Sequence, residues 1–296
     1  MLAVGDAIPT FEDNVEATAA WDGPLFDIWL HYRPLIEESL GPHGEAALAL
    51  HPPPAGGQCL DIGCGLGDTT FRMAELVGPE GRSHGVDVAP RMIEVAQQDL
   101  ERAGTPNVSF AVADVESDDL GGTYDYAFGR CGTMFFANPV PAFRNVRSQL
   151  APGGLLNIVV WRRKLDNDWL HKAELIVKKY LDKPDETDEP TCGPGPFAMA
   201  NADTVSDMVK FGGYEDIRLA RCDLPYKMGD DLDQAVAFNM AIGPAAEVLR
   251  LWGDRVDDIR PTIEAELYEG LEEFVTEDGS VVGPSSTWIV TGRAPG

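Results

Sequence analysis

The sequence is short of positive charge, of cysteines in useful spacing and of long apolar runs. Against 49 Asp plus Glu it carries only 23 Lys plus Arg, a formal net charge of −26. A field of that sign repels nucleic-acid phosphates and anionic lipid, so neither nucleic acid nor membrane is an expected partner. The five cysteines, Cys59, Cys64, Cys131, Cys192 and Cys222, are an odd number and include no C-x-x-C pair. That spacing suggests neither a disulfide framework nor a zinc site, and no metal is expected. Apolar runs such as Leu155 to Trp161 fall far below the roughly 18 to 20 residues needed to cross a bilayer. The N-terminus has acids where a signal peptide would carry its basic region, which predicts a cytoplasmic protein. What is present in quantity is apolar residue, 44% of the chain, enough for a sizeable core.

The most informative stretch is Cys59-Leu60-Asp61-Ile62-Gly63-Cys64-Gly65-Leu66-Gly67-Asp68-Thr69-Thr70. It reads as a short buried strand, a glycine-rich turn and the start of a helix. Glycines at alternate positions let a ligand lie against bare main chain, and the helix start offers unpaired N–H groups to a negative group. The dinucleotide fingerprint needs its third glycine three places after the second, and a Walker loop needs Gly-Lys-Ser/Thr; this stretch has neither. Asp61, two residues before the first glycine, would repel a pyrophosphate and suits a cationic ligand. S-adenosylmethionine (SAM), with an ammonium and a sulfonium beside its carboxylate, matches that combination at its amino-acid end.

The chain downstream repeats the pattern. A helix from Thr69 to Val77 stops at Gly78-Pro79-Glu80-Gly81, and a strand from Arg82 to Val88 carries Asp87 at its end, 26 residues after Asp61. Pro90 opens a helix to Ala103 that Gly104 closes, and the strand Val108 to Ala113 runs into Asp114-Val115. Acids at the carboxyl ends of three consecutive strands line the crevice where open α/β sheets bind ligands. An acid ending the second strand can accept hydrogen bonds from both ribose hydroxyls.

The glycine motif closely resembles the first motif of the Rossmann-like, class I SAM-dependent methyltransferases. Met134-Phe135-Phe136-Ala137-Asn138-Pro139 with Leu150-Ala151-Pro152-Gly153-Gly154 resembles the branch that includes ubiquinone and menaquinone biosynthesis enzymes. The resemblance implies an α/β fold: a seven-stranded, mostly parallel sheet with helices on both faces. Further strands are expected at Tyr124–Gly129, Leu155–Trp161, Ile217–Tyr226 and Ser286–Arg293, the last forming a reversed hairpin. It also implies SAM as cofactor, S-adenosylhomocysteine as product, and Asp114 and Val115 as adenine contacts. The expected cofactor set is Trp21, Asp61, Gly63, Cys64, Gly65, Gly67, Thr70, Asp87, Val88, Met92, Asp114, Val115 and Arg130.

Residues 1–54 read as a helical cover, with Trp21, Phe26, Trp29 and Tyr32 at near-helical spacing and a second helix from Gly44 to Leu50 ahead of His51-Pro52-Pro53-Pro54. Residues 55–296 form the expected methyltransferase domain, with lid insertions at about 163–213 and 230–270 and no second core. Asp182 to Pro196 reads as an exposed loop or flap. Methyl transfer from a sulfonium is an in-line displacement that needs a base only for a protonated nucleophile. His31 and His171 are the candidates for that role. The expected partner is a small-molecule methyl acceptor, and a homodimer is left open. The competing readings are an NAD-dependent oxidoreductase and a SAM-binding protein without turnover.

Overall fold

The structure is a computed structural model describing residues 11–182 and 194–296. Three helices come first: α1 (Phe11–Asp22), α2 (Pro24–His31) and α3 (Arg33–Leu50). β1 (Gln58–Ile62) then leads through the glycine turn into α4 (Asp68–Val77), followed by β2 (Arg82–Asp87), α5 (Pro90–Ala103) and β3 (Val108–Val112). β4 (Tyr124–Arg130), α6 (Pro139–Ser148) and β5 (Leu150–Trp161) complete the parallel part. After it come α7 (Asp168–Val177), α8 (Ala202–Phe211), β6 (Glu215–Gly229), α9 (Leu232–Ala241), α10 (Pro244–Trp252), α11 (Arg260–Leu271) and β7 (Val281–Arg293).

The seven strands form one sheet in the order β3-β2-β1-β4-β5-β7-β6, flanked by helices on both sides. β1 to β5 pair in parallel, while β7 runs antiparallel to both β5 and β6. Strand order reverses between β1 and β4, so the crevice for a ligand opens above their carboxyl ends. The central parallel strands are largely buried, as strands covered on both faces must be: Cys59, Leu60 and Ile62 of β1 and Tyr126, Ala127 and Phe128 of β4 are all buried. Local chemistry sets the helix ends. Pro90 sits in the first turn of α5 and Gly104 closes it in a left-handed conformation, while the Asn201 side chain caps α8 by accepting from the backbone N–H groups of Asp203 and Thr204.

Several boundaries differ from the sequence reading, β5 among them, which begins at Leu150 rather than Leu155. The second N-terminal helix begins at Arg33 rather than Gly44 and runs through Gly41-Pro42. Pro42 removes one N–H from the helical ladder, but Leu35, Ile36, Leu40, Ala47 and Leu48 bury the same face on both sides of it and hold the helix together. The last two strands are longer than expected, because Pro225 and Pro284 face each other inside the β6–β7 pair. Prolines usually mark a strand end. Here β5 pairs with β7 only over Thr287 to Arg293, so Pro284 stands where one side of β7 has no strand to bond. The expected flap, Asp182 to Pro196, falls largely outside the described residues. No helix among those described is long and apolar enough to cross a membrane.

Candidate functional site

The turn after β1 is fastened to the end of β2. The Cys64 N–H donates to the Val86 carbonyl at 3.0 Å, and the Gly65 N–H donates to Asp87 Oδ2 at 2.9 Å. Asp87 Oδ1 accepts from the Ala89 N–H at 3.0 Å. Burial raises the Asp87 carboxyl above its ordinary range, against the opposing pull of those N–H groups. Gly65 has φ +53° and faces open space, with no atom within 4 Å of where a side chain would begin. Gly67, at φ +91°, has the opposite constraint: a side chain there would come within 2.7 Å of the Phe110 ring. One glycine thus opens the turn to a ligand, and the other lets it pack on the sheet.

Above the turn lies a cavity of about 140 Å³. Ten of the expected cofactor residues form part of its wall: Trp21, Gly63, Cys64, Gly65, Asp87, Val88, Met92, Asp114, Val115 and Arg130. Asp61, Gly67 and Thr70 do not; they build the turn from behind. Asp61 is fully buried, and its Oδ2 accepts the hydroxyls of Thr69 and Thr70, both at 2.6 Å. Its Oδ1 has no hydrogen-bond partner among the described residues. Burial lifts its carboxyl to about 6, the two hydroxyls working in the opposite direction. Asp61 therefore lies behind the cavity wall, beneath the turn. Arg130, at the end of β4, is paired with Asp68 at 2.8 Å, and its Nε is buried without a partner.

The sequence reading missed Arg33, Glu37, Asp68 and Glu116, which also line this cavity. Arg33 and Glu37 stand four apart on one face of α3, bonded at 2.6 Å, and Arg33 also reaches Asp99 of α5 at 2.6 Å. Such a pair in a helix starting at Arg33 is legible only once the helix is given its true start. The N-terminal helices are tied to α5 by a second route. The Arg91 N–H donates to Asp22 Oδ1 at 2.8 Å, its guanidinium meets Asp27 at 2.6 Å, and the same group lies 3.9 Å from the centre of the Phe26 ring.

A second cavity, of about 790 Å³, adjoins the first. Its wall takes in α2, the segment from Pro194 to Ala198, α7, and the α9–α10 turn. Trp21, Trp29, Leu40, Cys131 and Phe135 line both cavities. Trp21 packs edge-on against Trp29 and Phe135, with ring centres 5.6 and 5.0 Å apart. Deeper in, Trp169 stacks on Tyr226 at 3.7 Å. Neither candidate base lines either cavity. His31 is exposed on the outer side of α2, edge-on to Tyr32, because the apolar face of that helix presents Leu25, Ile28 and Trp29 instead. His171 lies behind the wall, its Nδ1 3.7 Å from Glu174 Oε2. Among the described residues no group of His, Cys, Asp and Glu is arranged to hold a metal ion.

A family described as a methyltransferase domain matches residues 54–214, more than half of the chain. The chain belongs to this methyltransferase family. Its relatives include aklanonic acid methyltransferase of Streptomyces sp. (strain C5), 35% identical over 124 residues, which cover 42% of this chain and 56% of that protein. Demethylmenaquinone methyltransferase of Geobacillus stearothermophilus is 42% identical over 53 residues, 18% of this chain and 23% of the relative. The chain thus spans about half or less of the length of these curated relatives. Among solved structures, YcgJ of Bacillus subtilis superposes with a TM-score of 0.53 at 18% identity, covering 88% of this chain and 99% of that one. Phosphoethanolamine N-methyltransferase 2 of Haemonchus contortus, in complex with SAM, gives 0.55 at 18% identity, covering 98% and 61%. At such identity these two show a shared fold.

The cofactor of this class is SAM, and the methyltransferase's residues fit it. Gly65 leaves a cradle that any side chain would fill, the unpartnered Asp61 oxygen sets a negative field under the turn, and the Arg130 guanidinium stands at the cavity wall. A zwitterionic amino-acid end would meet charges of both signs there.

Proposed function

We propose that this methyltransferase transfers the methyl group of SAM to a small, largely apolar molecule bound in the larger cavity. The observation that carries the reading is the wall common to the two cavities. Donor and acceptor must meet in line, and a shared boundary between two compartments is where such a meeting can occur. In this reading residues 1–54 form the cover, while the insertions at about 163–213 and 230–270 supply the acceptor walls. The glycine turn and Arg130 hold the amino-acid end of SAM, Asp87 the ribose, and Asp114 with Val115 the adenine.

When bound, SAM supplies an electrophilic methyl group on a sulfonium. The chain's own contribution is alignment and exclusion of water: Trp21, Trp29, Leu40 and Phe135 close the junction with apolar surface. Cys131 is the one nucleophile in that shared wall among the described residues. Burial pushes its thiol up to about 12, which keeps it protonated near neutral pH and protects it from being methylated in place of the acceptor.

The test is transfer of tritiated methyl from SAM to compounds in an extract of the source organism, followed by mass analysis of the labelled product. Transfer to a small molecule supports the proposal. SAM binding with no labelled small molecule would leave a binding protein without turnover, and label confined to macromolecules would move the acceptor out of the larger cavity.

A further inference from the structure

We infer that the larger cavity has an anion-anchoring end, and that its occupant is an apolar acid whose carboxylate is held by Lys164 and Lys178. The inference rests on the acceptor reading above and narrows it to a chemical class. Both ammonium groups reach the same oxygen of one carboxylate: Lys164 Nζ lies 2.5 Å and Lys178 Nζ 2.9 Å from Glu174 Oε1. Glu174 itself is buried, its side chain 5% exposed, and all three residues line the cavity. One negative charge therefore serves two positive ones, and a positive surplus is left at this end of the cavity in a chain whose formal charge is −26.

Each ammonium has three donors, so bonding to Glu174 leaves further donors on both. Among the other described charged residues of the cavity, acids outnumber bases. Glu247 and Arg250 pair at 3.0 Å, and Asp254 and Asp257 outnumber Arg260. The excess positive charge is local to the lysines.

Exposure fixes the orientation of the ligand. The Lys164 and Lys178 side chains are 37% and 45% exposed, so they stand where the cavity meets solvent, whereas the Trp169–Tyr226 stack lies buried. An apolar acid entering ring first would bury its body against the aromatic wall and keep its carboxylate partly hydrated, which avoids the cost of drying a charge. Lys164 Nζ also sits 5.6 Å from the centre of the Phe197 ring, placing a charge beside an apolar surface that such a molecule would share. The methylated atom is then remote from the anchored acid, toward the wall shared with the donor cavity.

Calorimetry on the full chain, with and without S-adenosylhomocysteine, can test this with 2-naphthoate, 2-naphthamide and 2-naphthylmethylamine as matched probes. The acid should bind about tenfold or more tightly than the amide, as charge-assisted bonds require. That preference should vanish in Lys164→Met and Lys178→Met and survive in Lys164→Arg. Glu174→Gln, which frees both ammonium groups, should tighten naphthoate binding, a change that a merely structural role for Glu174 would not produce. Equal binding of acid and amide, no binding of the acid, or a preference for the amine would overturn the inference. Failure of S-adenosylhomocysteine to bind would count against the donor site alone, since the acid–amide comparison is also made in its absence.

Discussion

Replacing Asp61 with asparagine should reverse its effect on stability with pH while lowering affinity for SAM. The carboxyl is fully buried and lifted from 3.8 to about 6, so keeping it ionised in the folded chain costs about 3 kcal/mol relative to its neutral form. Because the folded value is raised, the stability it contributes is fully present below 3.8 and is lost as pH rises through about 6. Asparagine cannot ionise. Its oxygen can still accept from Thr69 and Thr70, but its amide replaces the unpartnered Oδ1 and brings N–H groups that cost roughly 1 to 3 kcal/mol if unpaired. At pH 4 the variant should therefore be the less stable protein, and by pH 8 the difference should have moved about 3 kcal/mol in its favour. Urea unfolding of both proteins at several pH values measures this. Affinity for SAM at pH 8 should fall about tenfold, because a negative field beneath the donor's ammonium is worth on the order of 1 to 2 kcal/mol across several ångströms of protein. A stability difference that does not change with pH would refute the argument that burial raises the Asp61 carboxyl, and unchanged SAM affinity would refute its electrostatic role.

Asp87→Asn should weaken SAM binding by about 1 to 3 kcal/mol and also lower stability, since Asp87 holds the Gly65 and Ala89 N–H groups; calorimetry and unfolding report the two effects, and unchanged affinity would remove Asp87 from the ribose. Trp21→Ala opens the junction between the cavities, so kcat should fall about 10- to 100-fold with SAM affinity affected less; full turnover would show that Trp21 is not part of the closure. His31→Ala should leave the pH profile of transfer unchanged, because the ring faces away from both cavities; a lost limb in that profile would return His31 to the reaction. Thermal shift should respond to SAM and not to NAD, and the opposite pattern would contradict assignment of the glycine turn to the sulfonium cofactor.

The lining of the smaller cavity was legible because a strand tip, a glycine turn and the acid ending the next strand are fixed by spacing along the chain. Asp87 and Asp114 each end a strand whose length and hydrophobicity are visible locally, and both line the donor cavity. Asp61 shows the limit of that reasoning. Its position was readable, but whether its carboxylate points at the ligand or at Thr69 and Thr70 depends on how the first turn of α4 folds back over the strand. The histidines failed for a related reason, since a lone ring on an amphipathic helix is placed by the neighbours that win the apolar face, and on α2 those are Leu25, Ile28 and Trp29. The acceptor side was hidden more deeply. Lys164 follows β5, Glu174 and Lys178 lie on and just past α7, Phe197 comes about twenty residues later, and Arg250 belongs to α10. No spacing rule joins residues drawn from separate insertions; only the packing of α7 against α9 and α10 brings them around one space. The turn that receives the cofactor in the proposed reading is thus written in one local stretch, whereas the elements proposed to recognise the methyl acceptor have a mutual arrangement that is tertiary, and charge counted over the whole chain does not show where two lysines share one glutamate.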